Sequence, residues 1–236
     1  MNKLSKKLTI ALCISLGLNA VAAGVAGVKY LPQIMNKYSG GGVYSFADNP
    51  QYSAKVSLFD QSEVVKADRV MLGDSLTAGC AWQEYEPDKV VLNRGIGSDI
   101  SEGVLNRLDS VIKHRPDEVM LMIGINDLVK GIAREEIVDN VTQILAALKE
   151  KLPQADIFLQ SVLPTNGENV APEEIIALNN AYRDAASQTG AHYIDLYPLF
   201  ATENDAMIPE LTYDGVHLNG EGYVIWLQAL EDSSGR

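Results

Sequence analysis

The stretch Arg69-Val70-Met71-Leu72-Gly73-Asp74-Ser75-Leu76-Thr77-Ala78-Gly79 decides how this chain is read. Its apolar run, residues 70–72, predicts a buried strand, and Gly73-Asp74-Ser75 predicts a turn into the next element. Ser75 then stands just past the carboxyl end of a strand, at the start of a helix predicted to reach about Gln83. In open α/β sheets ligands and chemistry gather at that place. The motif alone reads equally well as a helix N-cap, the common role of a serine after a strand.

Working outward, the same pattern recurs four more times. Residues 89–93 form a second apolar run, ending at Arg94-Gly95-Ile96-Gly97. A helix over 100–113 follows, stopped by Pro116. Residues 118–123 predict a third strand, ending at Gly124-Ile125-Asn126-Asp127. Residues 134–151 show helical spacing, with Ile137, Val141, Ile144, Leu145 and Leu148 on one face. A fourth strand over 156–162, a helix over 172–189 opened by Pro172, a fifth strand over 192–196 and a last helix over about 219–230 complete the chain. Five apolar strands separated by helices imply a parallel sheet covered on both faces, a three-layer α/β/α domain. Met120 and Met122 then read as core, as do Trp82 and Trp226.

The N-terminal part has a different character. Residues 8–28 carry no charge and, as a helix, would span about 31 Å, enough for a bilayer core. Lys3, Lys6 and Lys7 favour a cytoplasmic N-terminus, which puts the remainder outside. A cleaved signal peptide is the competing reading, with residues 8–18 as its apolar core and Ala20-Val21-Ala22 at the cleavage site. The anchor is preferred because small apolar residues continue past that site, and both readings export the domain. The expected organisation is a signal anchor or signal peptide over 1–30, a linker over 31–48 hinged at Ser39-Gly40-Gly41-Gly42, and a catalytic domain over 49–236. Tyr44, Phe46, Tyr52 and Phe59 are too aromatic for a free linker, and a helix over 54–64 is expected to dock on the domain.

Charge and cysteine content exclude several functions. The net charge of −12 comprises 19 basic and 31 acidic residues. Five of the basic ones precede the first acid, Asp48, so the rest of the chain carries 14 against 31, a net −17. Such a body repels phosphate backbones, and nucleic acid is not an expected partner. Cys13 lies in the apolar leader and Cys80 in the predicted Ser75 helix, so they are not expected to form a disulfide. Cys80 reads as packing. No His/Cys cluster with ligand spacing occurs, so neither a metal nor another cofactor is expected.

What stands at the strand ends carries the chemistry. In a parallel sheet Ser75, Gly95 and Asn126 share one rim, and the Ser75 N–H, the Gly95 N–H and the Asn126 amide could together hold an oxyanion. A nucleophilic serine also needs a base and a group to orient it. Three histidines are available. His114 ends a helix and reads as a surface cation suited to the helix dipole, and His192 opens a strand and reads as structural. His217 stands in Asp214-Gly215-Val216-His217-Leu218-Asn219, where one turn could bring the Asp214 carboxylate to the imidazole. A plain Asp-Gly turn remains open for that segment.

Gly73-Asp74-Ser75-Leu76, Gly95, Gly124-Ile125-Asn126-Asp127 and Asp214-Gly215-Val216-His217 resemble, in order and spacing, the four blocks of the SGNH (GDSL) hydrolase superfamily. Asn93-Arg94-Gly95-Ile96-Gly97, Leu105-Asn106-Arg107-Leu108 and Gln160-Ser161-Val162-Leu163-Pro164 resemble its branch akin to platelet-activating-factor acetylhydrolase. One departure is Gly97-Ser98-Asp99, where that branch more often has two glycines before the aspartate. The resemblance covers about residues 49–230 and implies a flavodoxin-like α/β/α fold. It also implies Ser75 as nucleophile, His217 as base, Asp214 as its orienting carboxylate, and Ser75, Gly95 and Asn126 as oxyanion donors. Asp74 and Asp127 are given structural hydrogen-bonding roles. The implied function is a serine esterase of small to medium acyl esters, acetyl above all, acting on a small-molecule or glycan ester outside the cytoplasm. An acyltransferase on cell-envelope glycan and a non-catalytic envelope-binding module are the alternatives. The oligomeric state is left open.

Overall fold

Each of the five apolar runs becomes a strand in a computed structural model, which describes residues 45–166 and 170–234. The strands are β1 (Arg69–Gly73), β2 (Val91–Gly95), β3 (Glu118–Met122), β4 (Asp156–Gln160) and β5 (His192–Ile194). All pair in parallel, in the order β2-β1-β3-β4-β5. The chain runs from β1 outward to β2 and then crosses to β3 on the other side. That reversal leaves a crevice at the carboxyl ends of β1 and β3, the place where such sheets bind ligands.

Alternate strand residues feed two cores. Val70, Leu72, Val119, Leu121, Ile157 and Leu159 pack in one, with apolar side chains of α4 (Ser101–Asn106), α5 (Asp109–Ile112), α7 (Arg134–Lys151) and α8 (Pro172–Thr189). Met71, Met120, Met122, Phe158 and Ile194 belong to the other, beside Trp226 and Leu230 of α10 (Gly220–Ser234). Both methionines of β3 are thus core, as their alternation predicts. Trp82 and Trp226 meet edge to face at 5.0 Å, and their indole N–H groups donate to Thr77 O and Gln160 Oε1.

Two helices expected to be continuous are broken. The Ser75 helix is a single turn, α2 (Ser75–Ala78), and a second turn, α3 (Trp82–Tyr85), follows after buried Cys80. The helix over 100–113 divides into α4 and α5 at Arg107, whose side chain turns inward. Its Nε meets Asp99 Oδ2 at 2.9 Å and its Nη2 donates to Gly73 O. Pairing a buried guanidinium with a carboxylate outweighs continuing the helix there. The turn after β3 becomes a further helix, α6 (Ile125–Val129), and a short α9 (Tyr197–Phe200) follows β5.

The N-terminal segment of the described body corrects the expected linker boundary. Residues 45–48 are a capped 3-10 turn, with Ser45 Oγ accepting from the Ala47 N–H and Asp48 closing on the Ser45 N–H. It leads into α1 (Tyr52–Asp60), which docks through Tyr52 and Phe59. The predicted anchor over 1–30 and the hinge at 39–42 lie outside the described residues. Among the described residues no helix is long and apolar enough to cross a membrane.

Beneath the crevice sit three buried carboxylates, Asp74, Asp99 and Asp127. Asp99 is paired with Arg107, and Asp127 accepts from the Ser101 N–H and, at 2.5 Å, from its hydroxyl. Asp74 has only dipoles: Oδ1 caps α2 through the Leu76 N–H and Oδ2 lies 3.4 Å from Asn126 Nδ2. Burial therefore pushes the Asp74 carboxyl up from its ordinary 3.8 to about 7, and Asp127 to about 6. Between those limits the folded chain holds the Asp74 proton more tightly than the unfolded chain does. Its contribution to stability is therefore best on the acid side and declines as pH rises toward 7. Asp74→Asn keeps the cap acceptor and cannot ionise. Thermal unfolding at about pH 5 and about pH 7.5 should show a smaller drop in Tm across that interval than the wild type does, and an unchanged drop would refute the assignment.

Candidate active site

Ser75 opens α2 immediately after β1, and its hydroxyl projects into the crevice. Asp74 ahead of it is in a non-helical conformation (φ −100°, ψ −144°), which sets the sharp change of direction. The Ser75 Oγ lies 2.9 Å from His217 Nε2. His217 Nδ1 lies 2.7 Å from Asp214 Oδ2. A carboxylate on Nδ1 fixes the proton there and leaves Nε2 free to accept from the serine hydroxyl.

The Asp214–His217 segment is built as a self-capping turn. Asp214 Oδ1 accepts from the Val216 and His217 N–H groups at 2.9 and 2.7 Å, while Oδ2 takes the ring. Gly215 has φ +86°, a backbone conformation that lets the chain fold back over three residues. Burial raises the Asp214 carboxyl, but these hydrogen bonds outweigh it, and the group is held below the ordinary carboxylate range. The turn is tied from outside as well. Thr212 Oγ1 donates to His217 O, and the Asn166 N–H donates to Gly215 O at 2.7 Å. Exposed Tyr213 stacks on the His217 ring with centroids 5.8 Å apart.

Asn126, in the first turn of α6, lines the same cleft as Ser75 and His217. Its Nδ2 donates to Asp99 O at 3.0 Å and reaches Asp74 Oδ2 at 3.4 Å. The first contact anchors the amide, and the second is long enough to yield to a stronger acceptor. The cleft is a partly open space of about 180 Å³, with Ile125, Val129, Val170 and Val216 supplying apolar walls. Larger grooves of about 470 Å³ flank α1 and contain none of these groups.

Four of the five residues singled out in the sequence meet here, and one does not. Gly95 is absent from the cleft, and its N–H donates to Asn93 Oδ1 at 2.8 Å, so its expected role as an oxyanion donor is corrected. A Cβ on Gly95 would stand 2.7 Å from Ala78 Cα and 2.8 Å from Asp74 O. This glycine admits the backbone of α2. The loop that does reach the cleft is two residues further on, at Gly97 and Ser98. Ser98 has φ +60°, unusual for a residue with a side chain, and its N–H has no partner among the described residues. The departure from a double glycine at this point was the sequence signal for it.

The remaining histidines fall outside the site. His114, expected at the surface, is fully buried, with Nε2 2.8 Å from Arg94 Nη2 and Nδ1 on Val64 O. Burial lowers its affinity for a proton, so it accepts from the guanidinium as a neutral ring. His192 is exposed beside Phe158 and Asp156. Among the described residues no group of three or more His, Cys, Asp or Glu side chains could hold a metal ion.

Known proteins share this arrangement of fold and motifs. The sequence profile of the GDSL-like lipase/acylhydrolase family matches residues 71–225. Platelet-activating factor acetylhydrolase IB subunit alpha1 from Bos taurus is 31% identical over 170 residues, covering 68% of this chain and 72% of that protein. Thioesterase 1/protease 1/lysophospholipase L1 from Escherichia coli K12 is 29% identical over 162 residues, covering 64% and 74%. A GDSL-like lipase from Bacteroides thetaiotaomicron VPI-5482 superposes with a TM-score of 0.66 at 26% identity, over 80% of this chain and 97% of that one. The chain therefore belongs to the GDSL-like lipase/acylhydrolase family and is a hydrolase of the GDSL/SGNH type.

Proposed function

We propose that this hydrolase cleaves short acyl esters, acetyl esters above all, through an acyl-Ser75 intermediate. The observation that carries the mechanism is the unbroken line from Asp214 through His217 to the Ser75 hydroxyl. Ser75 Oγ attacks the ester carbonyl carbon while His217 Nε2 takes its proton. Asp214 keeps the ring in the correct tautomer and stabilises the imidazolium. The oxyanion is met by the Ser75 N–H, the Ser98 N–H and Asn126 Nδ2, which turns from its long contact with Asp74. His217 returns the proton to the departing alkoxide. Water then attacks the acyl-enzyme with His217 again as base, releasing the acid and restoring the serine.

Cleft size supports the acyl preference. The space beside Ser75, about 180 Å³ with apolar walls from Ile125, Val129, Val170 and Val216, is small, which suits acetyl to short-chain acids. Platelet-activating factor acetylhydrolase, by its name, removes an acetyl group, which agrees with this preference. The reading further includes action outside the cytoplasm, either anchored or released, supported by the uncharged residues 8–28 behind three lysines. An acidic domain on such an anchor would not dock tightly on anionic headgroups.

Three measurements test this. Ser75→Ala should abolish both turnover of p-nitrophenyl acetate and labelling by a fluorophosphonate; retained activity would sink the mechanism. Asn126→Ala should lower kcat by about 10²–10³, with a fall of only twofold ruling it out as a donor. Across p-nitrophenyl esters from acetate to palmitate, kcat/KM should be highest for the shortest acids and fall as the chain lengthens. A maximum at palmitate would contradict the acyl preference.

A further inference from the structure

We propose that Asn49 is a positioning residue for this hydrolysis: from behind the cleft loop it aims the Ser98 N–H at the reacting carbonyl oxygen. This rests on the oxyanion site described under the proposed function and adds a residue to it from outside the matched segment 71–225.

Asn49 is 6% exposed, and both ends of its amide are engaged. Its Nδ2 donates to Gly97 O at 2.7 Å, and its Oδ1 accepts from the Gln51 N–H at 3.0 Å. Rotating the amide by half a turn would set oxygen against oxygen and N–H against N–H, so the orientation is determined by the partners. Gly97 O belongs to the same peptide unit as the Ser98 N–H. That unit is trans, as are all those described, so its C=O and N–H point in opposite directions. Gly97 and Ser98 line the cleft and Asn49 does not. With the carbonyl drawn back to Asn49, the N–H faces the space in front of Ser75. A hydrogen bond accepted by the carbonyl also polarises the amide and strengthens its N–H as a donor.

The loop needs this hold because its conformation is not the one Ser98 prefers. At φ +60° a residue with a Cβ is strained, at a cost of order 1 kcal/mol or more. Flipping the Gly97–Ser98 peptide would bring φ of Ser98 to about −120°, an ordinary extended value, and would turn the N–H away from the cleft. The Asn49 hydrogen bond opposes that flip. Asn49 itself is fixed by the segment it sits in. The capped turn at residues 45–48 precedes it, its own Oδ1 closes on the Gln51 N–H, and the Phe59 ring lies under Arg94 at 4.8 Å.

The test compares Asn49→Ala and Asn49→Ser with Tyr52→Phe in the full chain. Serine at position 49 retains an acceptor for the Gln51 N–H but cannot reach Gly97, which covers the case that the alanine variant does not fold. Both Asn49 variants should lose roughly 10- to 100-fold in kcat on p-nitrophenyl acetate with KM within about threefold of wild type. Tyr52→Phe removes a hydrogen bond of the same segment away from the loop, the one Tyr52 Oη donates to Gly103 O at 2.7 Å. It should lower Tm while kcat stays within about twofold. Fluorophosphonate labelling of the wild type, set against Ser75→Ala, reports separately on the underlying reading. If the wild type neither labels nor turns over, the proposed function and the role of Asn49 both fall. If it does both while the Asn49 variants keep kcat within about twofold, or Tyr52→Phe loses as much kcat as they do, the role of Asn49 alone is overturned.

Discussion

The first turn of α2 rests on the ends of β1 and β2, where Gly73 and Gly95 are Cα partners. Neither has room for a methyl group. A Cβ at Gly73 would collide with the Met122 carbonyl and Thr77, and one at Gly95 would collide with the backbone of Ala78. Because both positions are bare, the helix lies directly on the sheet, and Ser75 is brought to the height at which His217 can reach it. The carbonyl of Gly73 serves the same junction, accepting from the Ile96 N–H and from Arg107 Nη2. Bulk added at either glycine would lift the nucleophile away from its base, since close-packed interiors transmit such displacements.

Polarity is distributed unequally about that junction. Below it, Asp99 and Arg107 are wholly buried as an ion pair, and Asp127 is saturated by Ser101. Above it, the Asp214 carboxylate is exposed and receives three hydrogen bonds within its own turn. The buried groups fix backbone: Asp99 and Arg107 tie the loop after β2 to the end of β1, and Asp74 caps the nucleophile's helix. The exposed groups stay where substrate and water arrive. Desolvation is thus confined to residues whose task is to stay still.

Much of this could be read from the chain. Apolar runs ending in Gly73, Gly95 and Gly124 gave the strands and their common rim, because a sheet buried on both faces leaves continuous hydrophobic sequence. The spacing of three from Asp214 to His217 was legible as one turn. Gly95 was misassigned because a glycine at a strand end looks the same whether it admits a neighbouring backbone or offers its own N–H. Only the contacts with Ala78 and Asn93 separate the two. The break at Arg107 was hidden by an apolar periodicity that runs through it, although a charged residue on that face was a hint. His114 was misread because Lys113 and Arg115 flank it. Local charge says nothing of a helix end that turns its imidazole inward. The distant Asn49–Gly97 pairing left no local trace, since 48 residues separate the partners.

Asp214 and His217 share one short turn, bound more tightly to each other than to anything beyond it. A displacement of this segment therefore carries carboxylate and imidazole together as a single body, hinged where Thr212 and Asn166 tie it down. Motion in the site then has one principal coordinate, the gap between Nε2 and the serine oxygen. When that gap opens, the imidazole keeps its carboxylate and its tautomer. On the proposed mechanism, it could admit a water molecule at the acyl-enzyme stage and still be ready to deprotonate it. Ser75 stands at the sheet junction and His217 on a tethered turn, an allocation that, on the proposed mechanism, would give the second half of the reaction its freedom without loosening the first.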